Sequence, residues 1–222
     1  MDIKSELSKK GFVFIPKWEP DAEIEYLAKK FGKIVKVSDY VGHEIIPNTQ
    51  KIRPKTQSNS SKNQYSGKFG LDAFPFHTDL AHWSKPPKFL MLRCVRGFEQ
   101  VSTKVLPLKY ILDQLFELGL RRAVAQPRSN GSNTKSCLLP LLFKINNQRC
   151  IRWDSLFLEA VNDNVKRIQH VMLKNETWDM AIDIKLVDSG DTLILNNHSN
   201  FHARSNIPKE CIDRELERVY FN

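Results

Sequence analysis

The stretch FPFHTDLAH, Phe74 to His82, places two histidines and an aspartate within nine residues, between apolar groups and a Pro-Pro pair. On an extended strand, residues two apart share a face, so His77 and Asp79 are expected to project together and to share one metal ion. His82 lies five residues beyond His77, which sets it on the opposite face, as a loop or supporting residue. A third ligand must come from elsewhere, and His43, His82, His170, His198 and His202 are the candidates. Two histidines with one carboxylate suit non-haem iron, with coordination positions left open. Zinc competes for such a set, but the HExxH pattern is absent.

A second constellation lies near the end of the chain. His202 sits in LILNNHSNFHAR, and Arg214 and Arg218 follow it by 12 and 16 residues, on what reads as the final strand. Their separation of four keeps both on one strand face, the placement expected if both look into a pocket. A guanidinium inside a sheet is costly without an anion, and a carboxylate ligand supplies one through bidentate pairing. Zinc chemistry gives no reason for this arginine pair.

The elements that must position these residues are short. Residues 1–10 read as a polar helix, GFVFIP as a strand, and PDAEIEYLAKKFG as a helix capped by Gly32, followed by a strand KIVKV. From about 42 to 68 the chain is polar and rich in Asn, Ser, Lys and Gln; running directly into FPFHTD, it reads as a lid-like loop. KFLMLRCV and STKVLPL read as buried strands, PLKYILDQLFELG as a helix ending at Gly119, and SCLLPLLFKI and RCIRW as strands around an Asn-Asn turn. Residues 155–173 carry a helical apolar pattern, and GDTLILNN and ELERVYFN close the chain as strands. Many short strands with few helices predict one domain over 1–222, mainly β with α decorations, in a jelly-roll architecture.

Composition narrows the function classes. At 222 residues with 41% hydrophobic and 27% charged residues, the chain can fold around a substantial core. No apolar run approaches a membrane span, and MDIKSELSKK lacks the apolar centre of a signal peptide, so a cytoplasmic location is expected. Cys94, Cys137, Cys150 and Cys211 form no CxxC pair and read as free thiols. The net charge of +9 permits anionic partners, but the basic residues are spread along the chain with no nucleic-acid-binding motif, which disfavours a nucleic-acid polymer.

Taken in order, GFVFIP followed by FGKIV, FHTD followed by KPPKFLMLRC, Thr103, GDTLILNN, His202-Ala203-Arg204, and Arg214 with Arg218 make the chain resemble the Fe(II)/2-oxoglutarate-dependent dioxygenases, particularly their taurine dioxygenase-like branch. Gln100-Val101-Ser102 stands where that family usually has a glycine pair. The resemblance implies a double-stranded β-helix with His77, Asp79 and His202 as iron ligands. It also implies Thr103 and Arg214 on the distal carboxylate of 2-oxoglutarate, with Arg218 assisting. The implied reaction uses dioxygen and couples decarboxylation of 2-oxoglutarate to succinate with oxidation of a small molecule. The carboxylate of Asp79, replaced by a small residue in related halogenases, points to hydroxylation. Tyr65, Ser66 and Phe69 in the lid-like loop, with Arg152 and Asp154 in IRWD, are the candidate substrate contacts. The rival readings are an oxygenase of a phosphorylated or nucleic-acid substrate and a non-catalytic ligand sensor on the same fold.

Overall fold

The structure is a computed structural model that describes residues 2–41, 46–60, 64–128 and 137–222. The helices are α1 (Ile3–Lys10), α2 (Ile24–Lys29), α3 (Ser38–Val41), α4 (Tyr65–Phe69), α5 (Leu112–Glu117), α6 (Asp163–Met172) and α7 (Asn175–Asp179). The strands are β1 (Phe12–Ile15), β2 (Gln50–Ile52), β3 (Phe74–His77), β4 (Phe89–Arg96), β5 (Ser102–Pro107), β6 (Val124–Pro127) and β7 (Leu139–Pro140) in the first part of the chain. There follow β8 (Leu142–Ile145), β9 (Gln148–Ile151), β10 (Leu158–Ala160), β11 (Ile182–Lys185), β12 (Thr192–Asn196), β13 (Asn200–Arg204) and β14 (Glu215–Phe221).

A five-stranded sheet in the order β1-β12-β4-β14-β2 faces a four-stranded sheet in the order β11-β5-β13-β3, and every pairing is antiparallel. This is the jelly roll that the spacing of apolar runs predicts. Period-two alternation explains how the larger sheet is covered on both sides. Leu90, Leu92, Leu193, Leu195, Leu216 and Tyr220 turn inward to meet Val105 of the opposite sheet. Met91, Ile194, Val219 and Phe221 turn outward and are sealed by Leu7 of α1 and Ile24, Leu27 and Ala28 of α2. Strand β4 is therefore buried on both faces, which is why it reads as a continuous apolar run. A further core beneath β3 and β13 packs Phe76, Phe201 and Ala203 against α5 and α6. No helix among the described residues is long and apolar enough to cross a membrane.

Three expectations are corrected. KIVKV is not a strand: only Ile34 bridges to Phe221, while Lys33 and Asn222 exchange backbone hydrogen bonds of 2.8 and 2.9 Å. Gly32 does not cap α2, whose C-cap is Lys30; a Cβ there would stand 2.1 Å from the Asn222 carbonyl oxygen, so the glycine admits the chain end. Of residues 155–173 only Asp163–Met172 are helical, started by the Asn162 side chain accepting from the Val165 N–H. Within the lid-like stretch the chain is more ordered than its composition suggests: β2 pairs with β14, and α4 precedes β3. Residues 42–45, including the candidate ligand His43, and 61–63 lie outside the described residues. The Asn-Asn turn between β8 and β9 appears as expected, with φ of +48° and +62° at Asn146 and Asn147.

Candidate metal centre

His77 ends β3 and His202 occupies the middle of β13, directly opposite it in register. Asp79 lies in the turn two residues past the strand end, not on the strand itself. Asn197 fixes that turn: its side chain accepts from the Asp79 N–H at 2.8 Å and donates to the carbonyls of Asp79 at 2.9 Å and Pro87 at 3.0 Å. Among the described residues, His77, Asp79 and His202 are the group whose ligand atoms gather within 4.8 Å of one another. Asp79 Oδ1 is 3.5 Å from His77 Nε2 and 3.7 Å from His202 Nε2. Two ligands about 2.1 Å from one ion at right angles stand about 3 Å apart, so a small contraction closes this set around a metal.

The supporting contacts fit a metal as well. The Pro75 carbonyl lies 2.8 Å from His77 Nδ1; a proton held there leaves Nε2 free for a metal. His202 Nδ1 is buried without a hydrogen-bond partner. Asp79 Oδ2 accepts from Tyr220 Oη at 2.9 Å and from Arg218 Nη1 at 3.2 Å. Burial alone would raise the Asp79 pKa; Arg218 and the two imidazoles outweigh it and hold the carboxyl well below the usual range. Burial and the adjacent His77 pull His202 down to about 3, so the imidazole is neutral at pH 7, with one ring nitrogen carrying the proton and the other offering its lone pair. For His77 burial works against the charged form, and the Asp79 carboxylate reverses the sign and raises its pKa.

The cluster opens into a cavity of about 740 Å³ whose wall includes His77, Asp79, His202, Thr103, Arg214 and Arg218. Arg218 lies on β14 as expected, whereas Arg214 stands one residue before that strand begins; both nevertheless line the cavity with Leu216 and Tyr220. Their surroundings differ. Arg218 donates to Asp79 and, at 2.6 and 3.2 Å, to the Gln50 side chain on β2. Arg214 is 3% exposed, its Nε and Nη2 have no protein partner, and burial pulls its pKa down to about 10.

Tyr65, Ser66 and Asp154 also line the cavity. The Tyr65 ring stacks on His77 with centroids 4.5 Å apart. Asp154 Oδ1 accepts from the N–H groups of Leu156 and Phe157 at 2.7 and 2.8 Å, and burial pushes its carboxyl pKa up. Phe69 stands behind this wall, 5.9 Å from Tyr65 and 6.0 Å from Phe74 between ring centroids. Arg152 does not line the cavity: its guanidinium donates to the carbonyls of Ala81 at 3.1 Å, Trp83 at 2.5 Å and Ser84 at 3.1 Å. Arg152 is expected from IRWD as a substrate contact; the tie to residues 81–84 instead holds its guanidinium outside the cavity lining. Arg152→Leu is therefore expected to lower stability by roughly 2–4 kcal/mol in chemical denaturation, because two buried carbonyls and a partly buried one lose a charged donor. Ligand affinities of the folded fraction should stay unchanged.

His82, expected at the periphery, lines the cavity 5.5 Å from the Phe157 ring, since the turn after β3 breaks the strand parity that would turn it away. His198 is occupied by the Pro86 carbonyl at 3.0 Å, and His170 is exposed on α6. Asn197, Tyr220 and Gln50 are the supporting residues that sequence reasoning missed. Each acts through a partner more than a hundred residues away, and no local pattern marks it.

The sheet order and this cavity together define a jelly-roll protein with the fold of iron- and 2-oxoglutarate-dependent oxygenases. Asparagine oxygenase (AsnO) matches with a TM-score of 0.73 at 15% identity over 99% of this chain and 76% of its own. OrfP, a non-haem iron oxygenase solved with Fe and alpha-ketoglutaric acid, matches at 0.68 and 17% identity over 100% and 78%. PvcB, an Fe, alpha-ketoglutarate dependent oxygenase from an isonitrile synthetic pathway, matches at 0.66 and 16% identity over 99% and 78%. No family model matches the sequence, and no curated protein does.

Proposed function

We propose that the protein is an Fe(II)- and 2-oxoglutarate-dependent oxygenase that hydroxylates a small molecule bearing an amino group. The observation that carries this reading is the His77, Asp79 and His202 cluster, opening on the same cavity as Thr103 and the partnerless Arg214. Iron and 2-oxoglutarate, once bound, supply the oxidising power that dioxygen alone lacks toward a C–H bond. Arg214, with Thr103 lining the same cavity, takes the distal carboxylate of 2-oxoglutarate, and the missing counter-ion of the buried guanidinium is what this role explains. Arg218 assists from β14 while bonded to Asp79.

The substrate side is read from Tyr65, Ser66 and Asp154. Asp154 keeps Oδ1 on two backbone N–H groups, and its carboxylate, which interacts with the Tyr65 hydroxyl, has lone pairs left to accept from an ammonium or guanidinium. The neighbours support an amino-acid class: structures of OrfP hold hydroxylated arginines and that of asparagine oxygenase a hydroxyasparagine. All four cysteines are free, which supports a reducing, cytoplasmic setting.

The test is a screen of L-amino acids with Fe(II), ascorbate and 2-oxoglutarate, read as succinate and a mass gain of one oxygen. Succinate formation that rises with one amino acid is the expected result. A fully iron-loaded protein that makes no succinate with any member would favour the ligand-sensing reading. A second reading rests on Lys51, Arg53, Lys55 and Arg128 lining the outer cavity. They suit a phosphorylated or otherwise anionic substrate, for which the apparent KM would climb steeply with salt.

A further inference from the structure

We infer that Tyr220 is a positioning residue that holds Asp79 as a one-oxygen metal ligand, by anchoring the carboxylate oxygen that faces away from the two histidines. The inference rests on the iron reading above. The two oxygens of Asp79 are in unlike surroundings. Oδ1 faces both imidazole Nε2 atoms, whereas Oδ2 accepts from Tyr220 Oη at 2.9 Å and Arg218 Nη1 at 3.2 Å. An aspartate free to turn about its last torsion could offer both oxygens to a metal. It would then occupy a position that cosubstrate or dioxygen needs. Two donors on Oδ2 oppose that turn.

The two anchors are not equally stiff. Arg218 divides its donors between Asp79 and Gln50, and its side chain is 28% exposed at the cavity wall. Tyr220 is 2% exposed and packed among Leu90 and Leu216 of the inner core. Its backbone pairs with Leu90 on one side and accepts from the Val35 N–H at 2.9 Å on the other. A ring clamped in this way places its hydroxyl without help from solvent, so the tyrosine fixes the geometry and the arginine supplies the charge.

Tyr220→Phe removes the hydroxyl and keeps the ring that fills the core. Anaerobic titration is expected to show Fe(II) binding weakened about 10–100-fold. The visible absorption of the anaerobic iron–2-oxoglutarate complex is expected to shift, and succinate formed per hydroxylated product to rise. A merely structural tyrosine would move none of these at saturating iron. If the wild type binds Fe(II), His202→Ala does not, and Tyr220→Phe matches the wild type in affinity and absorption, the positioning role is overturned while the iron reading stands. A wild type without Fe(II) affinity overturns both.

Discussion

His77→Ala is expected to abolish Fe(II) binding and, with it, succinate formation, while leaving the protein folded. The imidazole is held in orientation from two sides. It ends β3, its Nδ1 lies 2.8 Å from the Pro75 carbonyl, and the Tyr65 ring lies 4.5 Å from it. Among the described residues no other histidine is placed to replace it, since His82 is set in the following turn and His198 is bonded to Pro86. Even residues that only support a metal ligand are worth about 10–100-fold, so loss of a ligand should cost more than about a hundredfold. Stability is expected to respond weakly, because Asp79 retains Arg218 and Tyr220 as partners. An anaerobic Fe(II) titration beside a thermal melt separates the two effects. A variant that keeps wild-type iron affinity would exclude His77 from the centre.

The share of this architecture that the sequence makes legible follows the reach of each signal. Strands β4 and β12 are apolar on both faces because helices cover one side and the opposite sheet the other, and a continuous apolar run carries that information locally. The Asn146-Asn147 turn is equally local, since both residues adopt the left-handed region that asparagine tolerates. KIVKV has the composition of a strand, but β2 already pairs with residues 216–218 on that edge of β14, and the segment reaches only the chain end at residues 220–222. Residues 155–173 keep helical spacing throughout. Asp154 nevertheless captures the N–H groups of Leu156 and Phe157, and β6 draws Leu158–Ala160 into a strand, so the helix begins only at its Asn162 cap. In the candidate centre, the cluster of His77, Asp79 and His202 is legible because residue types and order carry chemistry, whereas the role of Arg152 depends on carbonyls about 70 residues earlier.

Arg214→Met is expected to do two opposite things: stabilise the protein without 2-oxoglutarate, and weaken its use of 2-oxoglutarate by two to three orders of magnitude. The sign of the first effect comes from the unpaired state of the guanidinium. Arg214 is buried beside β14, two of its nitrogens lack a protein partner, and only the thiols of Cys94 and Cys211 lie close enough to favour its charge. Replacing an uncompensated buried cation by an apolar side chain of similar length should gain about 1–3 kcal/mol. For a chain of this size that is a rise of about 2–4 °C in Tm per kcal/mol. The second effect reverses the balance, because a dicarboxylate in the cavity turns the same guanidinium into a paired, charge-assisted donor. Truncating one partner of such a pair costs about 2–5 kcal/mol of binding. Added 2-oxoglutarate should therefore raise the Tm of the wild type by linkage and leave that of the variant nearly unmoved. Arg214→Lys, which keeps the charge but loses the planar fork, should fall between the two in KM. Were Arg214→Met to melt below the wild type with its KM unchanged, the guanidinium would have a structural role and the cosubstrate carboxylate would have to sit elsewhere in the cavity. A variant that melts higher and turns over poorly identifies Arg214 as a residue retained for binding at the expense of stability.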